Sequence, residues 1–212
     1  MATTWEVVYR IPNEHSADDI LADRTLIVQS QEDWRTDCFD AQFYDNAAHF
    51  FRLNHWELYL RRDGAAPMAI ISVPSSDSLP GLSRRNIWQA PAGDIFDSIP
   101  RLVGLGAPAS LLSLAKQEDL LPRFRIDCRR SWSILELPAG VIARLTLSRG
   151  LLSSGEKQEP YIELGIELLF GAPEAAVELG SRLASDFGLS PEHSGKYERA
   201  LRLIRSRANT RN

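Results

Sequence analysis

Alternation of apolar and polar side chains with a period of two recurs along this chain and predicts a protein built largely from strands. Over residues 56–62, Trp56, Leu58 and Leu60 alternate with Glu57, Tyr59 and Arg61. A turn follows at Asp63, Gly64, Ala65, Ala66 and Pro67, and residues 68–73 read as the returning strand of a hairpin. Residues 5–10 place Trp5, Val7 and Tyr9 on one side and Glu6, Val8 and Arg10 on the other, ending before Pro12. Residues 84–89 read as a further strand. Residues 123–137 set Arg123, Arg125, Asp127 and Arg129 against Phe124, Ile126 and Cys128. After a turn at Pro138, Ala139 and Gly140, residues 141–148 carry Arg144, Thr146 and Ser148 on their polar face. The clearest alternation lies in residues 161–170. Its apolar face is Ile162, Leu164, Ile166 and Leu168, and its other face is Tyr161, Glu163, Gly165 and Glu167.

Between these runs the apolar period lengthens to three and four. Residues 94–105 and 110–121 predict two short helices, and residues 16–26 predict another, with Ser16 as its N-cap. Pro173 suits the first position of an amphipathic helix whose apolar stripe is Ala176, Leu179, Leu183 and Phe187, with Gly188 just past its end. Ser190, Pro191 and Glu192 open a last helical stretch carrying Lys196, Tyr197 and Glu198. Residues 31–43 are compatible with a strand or with irregular chain. Residues 75–82 and 153–160 read as loops, and the chain is expected to fray after about residue 205.

Amphipathic helices need an apolar surface to cover. If they pack on the oily faces of the strands, the charged faces are left to meet one another. That predicts an α+β fold, an antiparallel eight-stranded β-barrel with flanking helices, as a single domain over residues 1–212 with a polar interior. A sandwich whose charged faces meet solvent is the alternative that periodicity leaves open. In the barrel, the enclosed charges must be paired or must bind something. Guanidinium groups suit phosphate oxygens, and paired carboxylates suit Mg²⁺ or Mn²⁺ bridging to phosphate.

Composition narrows the picture. The 212 residues are 44% hydrophobic and 25% charged, with a formal net charge of -4, so overall basicity offers no route to nucleic acid. No stretch approaches a membrane span and the N-terminus has no signal-peptide pattern, so the expected setting is cytoplasmic, with no membrane partner. Cys38 and Cys128 lack zinc-site spacing and read as two half-buried thiols. His15, His49, His55 and His193 are scattered, and neither a Ser-His-Asp set nor a P-loop emerges.

Several motifs, in order, resemble the CYTH or triphosphate tunnel metalloenzyme superfamily over nearly the whole chain. Phe43-Tyr44-Asp45 resembles its Y-Y-D-T step, residues 56–62 its L-R-x-R-R strand, and Ile71-Ser72-Val73-Pro74 its L-K-x-P. Arg129-Arg130-Ser131-Trp132 is similar to K-R-x-x-W, residues 163–167 to the late acidic strand, and residues 194–199 to the closing S-K-x-E-R signature.

The resemblance implies an eight-stranded tunnel that binds a di- or triphosphate with divalent metal. On the matching positions, Arg10, Arg61, Arg84 and Arg129 would hold the phosphates, and Lys196 would join Glu6 and Glu167 in the catalytic set. Glu6, Glu167 and Glu163 would retain Mg²⁺ or Mn²⁺. The departures are Val8 for the middle carboxylate of E-x-E-x-K, Tyr59 for an arginine and Ser72 for the lysine. Arg84, Asn86 and Trp88 stand where the family has R-x-E-x-E, Thr146 and Ser148 replace an aspartate pair, and Gly165 interrupts the acidic strand. Fewer carboxylates weaken a metal site. Tyr59, Ile70 and Trp88 favour an organic body in the tunnel, with Tyr59 and Trp88 as substrate contacts.

Two functions follow as expectations. One is a metal-dependent phosphohydrolase acting on an organic di- or triphosphate such as thiamine triphosphate. The other is a repurposed tunnel that binds or transforms an organic metabolite without phosphate hydrolysis. Adenylate cyclase, which needs the eroded carboxylates, ranks behind both. The partner in either case is a small phosphate ester or organic metabolite, and the chain is expected to be a monomer or homodimer.

Overall fold

The computed structural model describes residues 2–64, 66–76, 82–117, 120–192 and 195–205. Eight antiparallel strands close into a barrel. They are β1 (Ala2–Arg10), β2 (Arg35–Asp45), β3 (Glu57–Arg62), β4 (Met68–Pro74), β5 (Ser83–Pro91), β6 (Leu121–Leu137), β7 (Val141–Ser154) and β8 (Lys157–Phe170). Around the barrel the order is β5-β4-β3-β2-β6-β7-β8-β1, and β1 pairs back onto β5 to close the ring. The first half of β1 (Ala2 to Glu6) pairs with β5, while Tyr9 and Arg10 pair with the two-residue strand β9 (Ser190–Pro191).

Among the described residues seven α-helices flank the barrel: α1 (Glu14–Ala22), α2 (Arg24–Gln29), α3 (Phe50–Leu53), α4 (Ile95–Gly104), α5 (Ser110–Gln117), α6 (Pro173–Phe187) and α7 (Lys196–Arg205). The helix expected over residues 16–26 is two helices. Asn13 rather than Ser16 caps the first, and Asp23 ends it in extended backbone and caps the second through the Leu26 amide. The polar run 153–160 is mostly strand, because β7 and β8 stay paired out to Ser154 and Lys157. Ser190 and Pro191 form a strand, and the helix beyond them starts at Lys196. The expected fraying after residue 205 and most of the expected loop 75–82 lie outside the described residues.

The oily strand faces point outward under helices, as the patterning requires. Val7, Tyr9, Leu145, Leu147, Leu164 and Ile166 pack against Ile20 of α1 and against Ala176, Leu179 and Leu183 of α6. Leu58, Leu60, Ala69, Ile71, Trp88 and Ala90 pack against Ile95, Ile99 and Leu102 of α4 and Leu111 of α5. Each fully buried Leu or Ile contributes about 1.5–3 kcal/mol relative to exposure. A third apolar cluster lies inside the barrel: Ala41, Phe43, Phe124, Ile126, Leu152 and Tyr161, closed by Tyr197 and Ala200 of α7. One end of the barrel is therefore plugged by a helix.

Candidate active site: a charged tunnel with an aromatic wall

The barrel encloses a cavity of about 680 Å³. Period-2 alternation delivers its lining: Glu6 and Val8 from β1, Tyr59 and Arg61 from β3, and Arg144, Thr146 and Ser148 from β7. The β8 face Tyr161, Glu163, Gly165 and Glu167 lines it completely, and α7 contributes Lys196 and Tyr197.

The structure brings together Glu6, Tyr59, Arg61, Glu163, Glu167 and Lys196 from the residues singled out in the sequence. It places four others elsewhere. Arg10 sits exposed beside the cavity, paired with Glu192 at 2.6 Å. Arg84 faces outward, with its guanidinium 5.1 Å from the Trp5 ring centroid. Arg129 is exposed on the outer surface. Trp88 is buried in the outer core under α4 and α5, not in the tunnel. The residues that do line the tunnel are the immediate neighbours Arg85 and Arg130. Each belongs to an Arg-Arg pair, so a one-residue difference in register exchanges inside for outside. Ser194 of the closing motif lies outside the described residues.

Most lining cations are already bonded to a carboxylate. Arg130 makes a two-point contact with Asp37 at 3.1 and 2.5 Å. Arg144 meets Glu167 at 2.6 Å, and Arg61 meets Asp63 at 2.8 Å. Arg85 donates to Ser72 Oγ at 2.6 Å and lies 3.5 Å from Glu57. Lys196 donates to Glu163 Oε2 at 2.7 Å, while Arg199 donates to Oε1 of the same carboxylate at 2.6 Å. Lys196 and Arg199 both lie 5.4 Å from the Tyr161 ring centroid. Tyr161 can lie flat there because the residue opposite it is Gly150, where a Cβ would stand 2.3 Å from the ring. Burial pushes the Tyr161 phenol well up, and the Glu163 carboxylate raises Lys196 against the opposing effect of burial. The wall facing these charges is aromatic: Phe43 stacks on Tyr59 at 4.7 Å and on Phe124 at 4.3 Å.

Glu6 and Glu167 are direct cross-strand partners, and Gly165 leaves the space into which Glu6 leans, with Oε1 3.0 Å from where a Cβ would be. The Glu6 carboxyl is pushed up to about 7, chiefly by burial; Lys196 opposes the shift, and Glu167, Glu57 and Glu163 add to it. Between its ordinary 4.5 and about 7 the folded chain keeps a proton that the unfolded chain has released, so stability falls as pH rises through that window. The full shift corresponds to about 3 kcal/mol. Water reaches Glu6 from within the tunnel, which lowers the expectation to about 1–3 kcal/mol. Glu6→Gln is expected to be more stable than the unmodified chain at pH 8 and equal to it at pH 4. Parallel curves of melting temperature against pH for the two proteins would refute this.

These acids do not make a metal centre as they stand. Both Glu163 oxygens are taken by cations, Glu167 is held by Arg144, and Glu6 is pushed toward neutrality. Among the described residues no group of three or more His, Cys, Asp or Glu side chains is placed to hold an ion. A hard divalent cation held here would depend on oxygens from a phosphate ligand and water beyond those that this wall offers.

No protein-family model matches the sequence, and no curated protein matches it. Solved structures do match. A protein from Hippeastrum, described as a candidate adenylyl cyclase that reveals a dominant triphosphatase activity, superposes with a TM-score of 0.55 at 15% identity, covering 96% of this chain and 95% of that one. A protein from Pyrococcus horikoshii OT3 gives 0.53 at 15% identity over 93% of this chain and 98% of its own. A Bacillus halodurans protein described as a candidate adenylate cyclase gives 0.53 at 12% identity over 92% and 96%. At these identities the likeness is one of fold: the chain is a closed eight-stranded antiparallel barrel with flanking helices, the architecture of the triphosphate tunnel proteins that its motifs resemble.

Proposed function

We propose that this tunnel takes an organic di- or triphosphate, with thiamine triphosphate as the first compound to test. The observation that carries the reading is the convergence of Arg61, Arg85, Arg130, Arg144 and Lys196 on one cavity whose opposite wall is the Phe43–Tyr59 stack. A phosphate chain offers those cations the charge-assisted contacts that carboxylates now supply, and can meet the guanidinium groups at two points. The aromatic wall gives an organic body a flat apolar surface that inorganic triphosphate would leave bare. Six cationic and six acidic side chains line the cavity, so a phosphorylated ligand that also carries a positive charge suits it better than a bare polyanion.

Because the acids fit a metal poorly, binding is the function the geometry supports best. Hydrolysis of the bound phosphate with Mg²⁺ or Mn²⁺ is a second reading, favoured by the triphosphatase among the fold neighbours. A cytoplasmic setting belongs to the same proposal and agrees with two free thiols, Cys38 exposed and Cys128 buried. No helix among the described residues is long and apolar enough to cross a membrane.

A panel of phosphorylated compounds, with Mg²⁺, Mn²⁺ or EDTA, tests both readings by thermal shift and phosphate release. Stabilisation that persists in EDTA supports binding, and release abolished by EDTA supports the hydrolase. Neither effect with any compound would end the proposal. Arg130→Ala is expected to weaken binding of the best compound by about 1.5–3 kcal/mol in titration calorimetry. An unchanged affinity would remove Arg130 from the cradle.

A further inference from the structure

Arg52 also lines the tunnel, and no motif drew attention to it. It differs from the other cations of the lining. Among the described residues its guanidinium has neither a carboxylate nor a hydrogen-bond acceptor, and its Nε, like that of Arg61, is buried without a partner. A donor hidden from water and left unpaired is costly unless something supplies the missing acceptor.

The residue is not loosely placed. Helix α3 is a single turn, yet the fully buried Asp45 carboxylate accepts the backbone N–H groups of Phe51 at 3.0 Å and Arg52 at 3.3 Å. The Trp56 ring packs edge-on against Phe50 at 5.4 Å and Phe51 at 6.3 Å, and the Trp56 amide donates to the Phe51 carbonyl. Three residues beyond Arg52, the His55 carbonyl accepts from Arg85, so the loop that carries Arg52 is tied to a cradle cation. A ligand can meet Arg52 without displacing an internal carboxylate, which holds for none of the paired cations.

We propose that Arg52 is an additional anion-binding residue of the tunnel, contacting an anionic group of the ligand at the rim formed by α3 and α7. This rests on the reading of the tunnel as a phosphate site. The ligand chemistry is a phosphate or other oxyanion whose oxygens can accept from guanidinium.

The test is titration of the full chain with inorganic triphosphate at two salt concentrations, using the unmodified protein, Arg52→Ala, Arg52→Gln, Arg52→Lys and Arg130→Ala. The expected result is an affinity loss of about tenfold or more in Arg52→Ala and Arg52→Gln. It should come with a shallower salt dependence, substantial recovery in Arg52→Lys, and unchanged melting temperatures without ligand. Unchanged affinity in the Ala and Gln variants beside a weakened Arg130→Ala would overturn the role of Arg52 and leave the phosphate site standing. A lowered melting temperature with no recovery by Lys would assign Arg52 to structure and overturn it too. If the unmodified protein does not bind triphosphate or any organic phosphate, both the site and the role of Arg52 fall together.

Discussion

Replacing Glu163 by Gln is expected to destabilise the fold by about 3–5 kcal/mol, because it removes the negative charge, and one of the two acceptors, that two cations now share. Glu163 is 4% exposed, and its two oxygens accept from two cations of α7, Oε1 from Arg199 and Oε2 from Lys196. Arg199 is 3% exposed and would keep its hydrogen bonds to Glu159, with the Glu192 carboxylate 3.9 Å away. An amide offers one acceptor where two are needed and turns two donor hydrogens toward cations. Glu167→Gln is the control, since its partner Arg144 has a side chain 40% exposed and can be rehydrated. That variant should stay within about 1 kcal/mol of the unmodified chain. Denaturant titration of both variants decides the matter. Equal losses at the two positions would mean that burial of the Arg199 network does not govern the effect.

The contrast between these glutamates also shows what the sequence made legible. Strand β8 was readable residue by residue, because strict alternation leaves one register in which Ile162, Leu164, Ile166 and Leu168 meet the helices. The same reasoning recovered the hairpin of β3 and β4 and the inward side of β1 and β7. It failed at β6 for a physical reason. Polar faces turn inward on β1, β7 and β8, but Phe124, Ile126 and Cys128 are the inward set over the first half of this strand, because α7 plugs that end and requires an apolar lining. Arg129, expected in the cradle, therefore lies on the outer side, and its neighbour Arg130 takes the inner one. In β5 the apolar signal around Arg84 and Arg85 is too sparse to fix the register. Trp88 decides it in the structure by burying itself under α4 and α5, which carries Arg84 outward with it. The ion pairs between distant segments, such as Asp37 with Arg130, have no local signature at all.

Asp45→Ala is expected to cost a further large amount, about 3–5 kcal/mol, through a different mechanism from the Glu163 change. The carboxylate is fully buried and accepts from the amides of Asn46, Phe51 and Arg52 and from the Tyr197 hydroxyl at 2.7 Å. Alanine leaves these donors without acceptors inside the protein, at about 1–3 kcal/mol each before relaxation. Asp45 sits in the Phe43-Tyr44-Asp45 stretch that resembles a family motif, and its carboxylate gathers donors from its own neighbour, from α3 and from α7. Its work is to fasten α3 to α7 across the end of the tunnel, and burial followed by this bond pushes the Tyr197 phenol upward. Loss of stability should therefore come with faster hydrogen exchange at the Phe51 and Arg52 amides and with loosening of α7, which Tyr197→Phe should reproduce only in part. If Asp45→Ala kept both amides protected, the helix turn would be held by Trp56 packing alone, and the rigid mounting of Arg52 would have to be ascribed to that ring instead.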